Sequence, residues 1–258
     1  MAILRPDAFF RGCILLLAIA GASSLHAGWQ PYRAHYDVYR NGKLIGKADV
    51  TLELQGDRWS MRSEASGTRG MARLLRAKDN EYTEGSLFDG RLRPLKYSHQ
   101  TRIAGSDDAW SASFDWQAGK VNISKGKKGK DQLSLDMGAG ALDALSLKLE
   151  MARRLQDNDS DMMFLLVDDD KIKEQAFHML PSVHLDTSLG CLRTIPVERV
   201  RHDSTRYTRV WHAADVEFIA VRMEHGKTDG DQIEMRIMEL VVGQQQVQPQ
   251  PGCVGPVK

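Results

Sequence analysis

Apolar and polar residues alternate with a period of two over long stretches of this chain. Tyr32, Ala34, Tyr36 and Val38 interleave with Arg33, His35, Asp37 and Tyr39, and Ala48, Val50, Leu52 and Leu54 with Asp49, Thr51, Glu53 and Gln55. Leu95, Tyr97, His99, Thr101 and Ile103 oppose Lys96, Ser98, Gln100 and Arg102, while Trp110, Ala112, Phe114 and Trp116 oppose Ser111, Ser113 and Asp115. Successive side chains of a strand point to opposite faces, so this pattern predicts strands with one face in a core and one in water. Segments 193–202, 205–213, 216–225 and 231–242 repeat it less cleanly. In the last, Ile233, Met235 and Ile237 hand over to Met238, Leu240 and Val242, a change of phase that predicts a bulge.

The turn residues agree. Asn41-Gly42 and Asp89-Gly90 are two-residue hairpin signals, because a type I′ turn needs positive φ at both central positions. Gly56-Asp57, Gly119-Lys120 and Asp229-Gly230 mark further reversals. Sequential hairpins make a meander, so the fold class is mainly β, an antiparallel meander forming a curved or barrel-like sheet. One long helix interrupts it: in Ala141 to Gln156, Leu142, Leu145, Leu149 and Ala152 fall on one stripe, which predicts packing on the open side of the sheet. Met71 to Ala77 predicts a second, shorter helix, and Met162 to Val167 a buried strand. No linker divides residues 28–242, which are expected to form one domain; the Gln-, Pro- and Gly-rich residues 243–258 predict a poorly ordered tail.

Residues 1–27 change the compartment. Arg5 and Arg11 precede an apolar run from Cys13 to Ala22, and Ser23 to Ala27 resembles a signal-peptidase site, so cleavage after Ala27 and export to the periplasm are expected. The run is short for a membrane span, which takes about 20 residues. Phe10-Arg11-Gly12 before Cys13 does not fit a lipoprotein signal, so no lipid anchor is expected. Of 258 residues, 35 are Lys or Arg and 34 Asp or Glu; loss of Arg5, Arg11 and Asp7 with the leader leaves no net charge. A broad basic excess is therefore missing, which argues against nucleic-acid binding. Cys13 leaves with the leader too, so Cys191 and Cys253 form an even pair in an oxidising compartment and are expected to bridge.

Catalytic and metal motifs fail inspection. No Gly-x-Ser-x-Gly elbow, His-Glu-x-x-His, Walker loop or Gly-x-Gly-x-x-Gly fingerprint occurs. His178, His184 and Asp186 come nearest to a metal set but lack a ligand spacing, and Asp157, Asp159 and Asp161 open a calcium-like loop that puts Met162 where glycine is needed. No catalytic residue, metal or cofactor is expected. Two features remain. Trp59, Tyr97, Trp110, Phe114 and Trp116 project to one side if the registers allow; they fill a core or line an apolar ligand site. Met71, Leu74 and Leu75, with Lys125, Lys127, Lys128 and Lys130 of a Gly-rich loop, are candidate contacts for a partner or an anionic lipid surface.

Tyr36-Asp-Val-Tyr-Arg-Asn-Gly42 with Gly46, Gly85-Ser-Leu-Phe-Asp-Gly-Arg-Leu-Arg-Pro94 with Tyr97, Phe114-Asp-Trp116, Leu142-Asp-Ala-Leu-Ser146, Thr187-Ser-Leu-Gly190 with Thr194, and Trp211-His-Ala-Ala-Asp215 with Val221-Arg222 follow one another along the chain. Taken in this order, they resemble a bacterial family of unknown function, DUF3108, whose members are mostly exported. Ala220 stands where the family often carries proline. The resemblance implies an envelope protein with a barrel-like antiparallel sheet and transfers no catalytic residues. The resulting expectation is a non-enzymatic periplasmic protein that binds a lipid, another apolar ligand or an envelope component through its curved sheet. Its rivals are an accessory factor for outer-membrane protein assembly or secretion, and a hydrolase whose triad assembles from distant residues.

Overall fold

The computed structural model describes residues 29–126, 131–202 and 204–253. The expected leader and Lys127, Lys128 and Lys130 lie outside the described residues. The first half of the chain runs β1 (Tyr32–Arg40), β2 (Lys43–Gln55), β3 (Arg58–Gly67), α1 (Gly70–Leu74), β4 (Lys78–Phe88), β5 (Arg91–Ile103), β6 (Ser106–Asp115), β7 (Lys120–Lys125) and β8 (Asp131–Asp136). A two-residue β9 (Ala141–Leu142) leads into α2 (Ala144–Gln156). Then follow β10 (Met163–Val167), β11 (Ile172–Met179), β12 (Val183–Thr187), β13 (Gly190–Arg199), β14 (Arg206–Ala213), β15 (Ile219–Lys227), β16 (Gln232–Val242) and β17 (Gln245–Gln246).

All seventeen strands belong to one sheet. From β1 to β8 each strand pairs antiparallel with the next. The free edge of β1 takes β16, which places Tyr32 opposite Val242 and Arg40 opposite Ile233. The order then runs back through β15, β14 and β13, whose far edge is shared between β12 and β11. Beyond β11 lie β10 and β9, the latter pair parallel. The sheet curls but does not close, and β8 and β9 are its two ends.

Local chemistry explains these elements. Asn41 and Gly42 adopt φ of 52° and 74°, and Asp89 and Gly90 adopt 51° and 70°, as both hairpin signals require. The register of β1 against β16 slips between His35 and Tyr36, leaving Met238 unpaired: this is the bulge implied by the change of phase. A second slip leaves Leu95 unpaired in β5. Leu92, Pro94 and Tyr97 are therefore the buried residues, and Leu95 departs from the expected alternation.

The long helix differs from expectation in two ways. It starts three residues late, because Asp143 is its N-cap. The Asp143 carboxylate accepts from the backbone N–H groups of Leu145 and Ser146, both at 2.9 Å, while the Ser146 hydroxyl accepts from the Asp143 N–H at 2.8 Å. Ala141 and Leu142 are thereby left free to pair with β10. Thr83 of β4 donates to the same carboxylate at 2.8 Å, which ties the cap to the sheet. Moreover, the helix is buried on more than one stripe: Leu147, Met151 and Leu155 are buried as well as Leu145 and Leu149. Such a helix is covered on more than one face.

The tail is also ordered where it is described. The Val247 N–H donates to Leu240 at 2.8 Å, and Gln250 to Leu189 at 3.0 Å. Cys253 is bonded to Cys191 as expected, with their Cα atoms 4.7 Å apart. Backbone pairing and the bridge together pin residues 244–253 as a strap across β13 and β16.

Candidate functional site

The five aromatic residues lie along the half of the curl built by β3 to β7, four of them in pairs. Tyr97 and Trp110 lie 4.8 Å apart between ring centroids, and Phe114 and Trp116 6.3 Å apart and stacked. They use their faces on one another. Trp59 and Tyr97 are only 2% and 3% exposed. Trp59 runs against the backbone of Gly85, where a Cβ would fall 2.4 Å from its ring. Trp116 donates its indole N–H to the Pro94 carbonyl at 2.7 Å. These side chains fill the half of the curl formed by β3 to β7.

The apolar space beside the helix lies elsewhere. A cavity of about 310 Å³ opens between α2 and the inner faces of β1 to β4, β11 and β13 to β16, and none of the five aromatics lines it. Its size falls at the small end of the roughly 300–1,000 Å³ typical of small-molecule sites. On the helix side the wall includes Ala144, Lys148, Leu149 and Ala152; on the sheet side it includes Val50, Met61, Phe177, Val210, Met223 and Met235. Ala144 and Ala152 leave room where longer side chains would meet the sheet, and the three methionines of the sheet supply soft, adaptable surface.

Besides Gln30, Ser63, Lys148 and Glu217, groups of polar side chains interrupt this wall at three places. On β4, Asp79 accepts from His99 Nε2 at 2.7 Å and from the Thr101 hydroxyl at 2.9 Å, while Glu81 accepts from the Tyr97 hydroxyl at 3.0 Å. Burial pushes the Asp79 carboxyl up, but the bonds from His99 and Thr101 outweigh it and hold the group below its ordinary range. The same bond raises the His99 imidazole. Burial, and then the Glu81 charge, drive the Tyr97 phenol well above its ordinary range. Asp79, Glu81 and His99 offer ligand atoms within 4.8 Å of one another, but Asp79 and His99 already bond to each other and Glu81 to Tyr97. Sequence reasoning passed over this group; its only signal was Asp79 and Glu81 two apart on a strand, with His99 opposite Glu81.

At the second place, His212 of β14 donates Nδ1–H to the Phe218 carbonyl at 2.7 Å, and its Nε2 has no partner among the described residues. Burial lowers its pKa to about 4, so the ring is neutral at pH 7. The third place is formed by Gln175, Arg199 and Thr208 on β11, β13 and β14.

The predicted contact residues fall at one end of the curl. Met71 and Leu74 of α1 are 64% and 72% exposed, whereas Leu75 is half-buried. Lys125 ends β7 and pairs with Asp169 at 3.5 Å, across the gap between the sheet's two ends. Among the described residues no serine hydroxyl is hydrogen-bonded to a histidine, and no helix is long and apolar enough to cross a membrane.

The curl matches solved structures at low identity. A beta-barrel-like protein of the domain of unknown function DUF1849 from Brucella abortus aligns with a TM-score of 0.58 and 12% identity, covering 83% of this chain and 98% of its own. A candidate lipoprotein from Parabacteroides distasonis aligns at 0.35 and 11% identity, covering 82% and 95%. The first shares the fold. No curated protein matches the chain. Residues 32–238 match the model of the family described as a protein of unknown function, DUF3108, and the chain belongs to that family.

Proposed function

We propose that this protein is an exported, non-enzymatic carrier that holds an apolar molecule between α2 and the curved sheet. The cavity carries the reading: it is lined mainly by aliphatic, methionine and aromatic side chains, and the helix forming one wall is capped into the sheet by a buried network. A preformed apolar space with few polar groups suits a lipid-like ligand. The Cys191–Cys253 bridge and the leader-like residues 1–27 support work in the periplasm.

Native mass spectrometry of protein purified from the periplasm tests this reading. The expected result is a bound mass that organic extraction removes, and uptake of the fluorescent probe N-phenylnaphthylamine by the extracted protein. Ala152→Trp, which fills the cavity from α2, abolishes that uptake. Protein that carries no apolar mass and takes up no probe overturns the reading. The exposure of Met71 and Leu74 favours a second role, contact with an outer-membrane or secretion protein through α1; crosslinking from position 74 to such a protein, with no small ligand, would replace the first.

A further inference from the structure

We propose that the ligand is an anionic amphiphile, whose carboxylate or phosphate head is held by Arg199, with Gln175 and Thr208, while its tail lies along α2. This rests on the carrier reading and adds the chemistry of the head.

The argument begins from partners. The carboxylates on the cavity wall at β4 are engaged by His99, Thr101 and Tyr97. On the facing wall Arg199 is not, and Arg201 stands beside it outside the lining. Among the described residues, neither Arg199 nor Arg201 has a carboxylate within ion-pair distance, although ion pairs are frequent elsewhere on these strands, as with Arg209 and Glu198. Asp168 acts on Arg199 only through space, and its carboxylate is paired with Lys173. Gln175 is 5% exposed and lines the cavity.

The positions converge. Phe177 faces Arg199 across β11 and β13, and Gln175 lies two residues back on the same face of β11. Glu198 faces Arg209, so Arg199 falls beside Thr208 one step further along the register. The Thr208 hydroxyl accepts from Arg201 Nη2 at 3.2 Å and lies 2.9 Å from His225 Nδ1, while Arg201 Nε is buried without a partner. Burial, followed by the charges of Arg201, Arg206 and Arg199, lowers the His225 imidazole, a sign of how much uncompensated positive charge gathers here. Burial and Arg201 likewise lower Arg199. An anion bridging the Arg199 guanidinium, the Gln175 amide and the Thr208 hydroxyl would neutralise this cluster, with the adjoining apolar wall left for a chain.

Displacement of N-phenylnaphthylamine from the extracted full-length mature chain tests the proposal. The probes are dodecanoate, dodecyl phosphate, dodecanol and dodecyltrimethylammonium. The two anions are expected to bind about tenfold tighter than the alcohol, the cation weakest of all. Arg199→Gln erases the anion advantage and leaves dodecanol unchanged; Arg199→Lys retains part of it. If Arg199→Gln fails to fold, Gln175→Leu must reduce the advantage in its place. The ranking of carboxylate against phosphate separates a fatty-acid source from a phospholipid one. Dodecanol binding as tightly as the anions, or an advantage that survives Arg199→Gln, overturns the headgroup assignment while the carrier stands. Displacement by none of the four overturns both.

Discussion

The two halves of the curl contain similar strands and opposite interiors. Around β3 to β7, Trp59, Leu92, Tyr97, Phe114, Val121 and Ile123 close on one another, and Gly85 removes even a Cβ to let the Trp59 ring lie flat. Around β1, β11 and β13 to β16, Val210, Ala220, Met223 and Met235 face Ala144 and Ala152 of α2 across open space. Aromatic density is thus a poor guide to a binding site. Large flat rings satisfy themselves by packing together, and space survives where side chains are small or flexible.

The contrast can be broken or sharpened by experiment. The largest effect is expected from Trp59→Ala, which should cost about 4 to 5 kcal/mol, against about 2 for Met223→Ala on the cavity wall. Urea midpoints at constant slope read both, and equal losses would erase the distinction between the halves. Next comes the strap, which belongs to the cavity half. Replacing Cys191 and Cys253 together by serine should remove about 4 kcal/mol, given their separation of 62 residues. The same urea titration detects this, and reducing agent should reproduce it in the unaltered protein.

His212 ranks third and gives the cavity half an acid sensitivity. Its pKa falls from 6.5 to about 4 on folding, so between those values the unfolded chain binds the proton and the folded chain does not. Stability from this group is therefore intact above about pH 6.5 and declines as pH falls towards 4, by about 3 kcal/mol in all. His212→Asn keeps a donor for the Phe218 carbonyl and should flatten that slope; an unchanged slope would assign the acid response to other groups. The smallest effects have opposite signs. Ala112→Leu overfills the aromatic half and should cost about 2 kcal/mol, while Ala152→Leu partly fills the cavity and should add about 1. Thermal unfolding of the two variants side by side is enough to decide.

Where the inner face of the sheet meets other apolar groups, its strands were legible in the sequence. Alternation marks β1, β2 and β6, the Asn-Gly and Asp-Gly pairs mark two hairpins, and the phase change at Met238 marks a bulge. The same signal fails at β4, whose inner face carries Asp79, Glu81, Thr83 and Gly85. Those residues serve the hydrogen-bond network, the Asp143 cap and the Trp59 ring, so their polarity is set by partners distant in the chain. The cavity was illegible for a related reason. Ala144 and Ala152 read as ordinary helix residues, and Arg199 and Gln175 as ordinary strand polarity, until β11 and β13 come together beside the helix. Parity of the cysteines was enough for the bridge, but the strap around it depends on backbone bonds to Leu189, Cys191 and Leu240 that composition does not encode.

The pairing of β1 with β16 sets the order of assembly. The meander from β1 to β8 is built from neighbours in sequence and can zip as soon as it emerges. Its first strand, however, must wait for a partner that is made almost a whole chain later, when Val242 comes to lie beside Tyr32. Throughout that interval β1 presents a row of unsatisfied amides and carbonyls, an edge on which other chains can nucleate. A newly made molecule is therefore most vulnerable before its last long strand arrives, and a chaperone that guards this edge would raise yield without touching the finished protein.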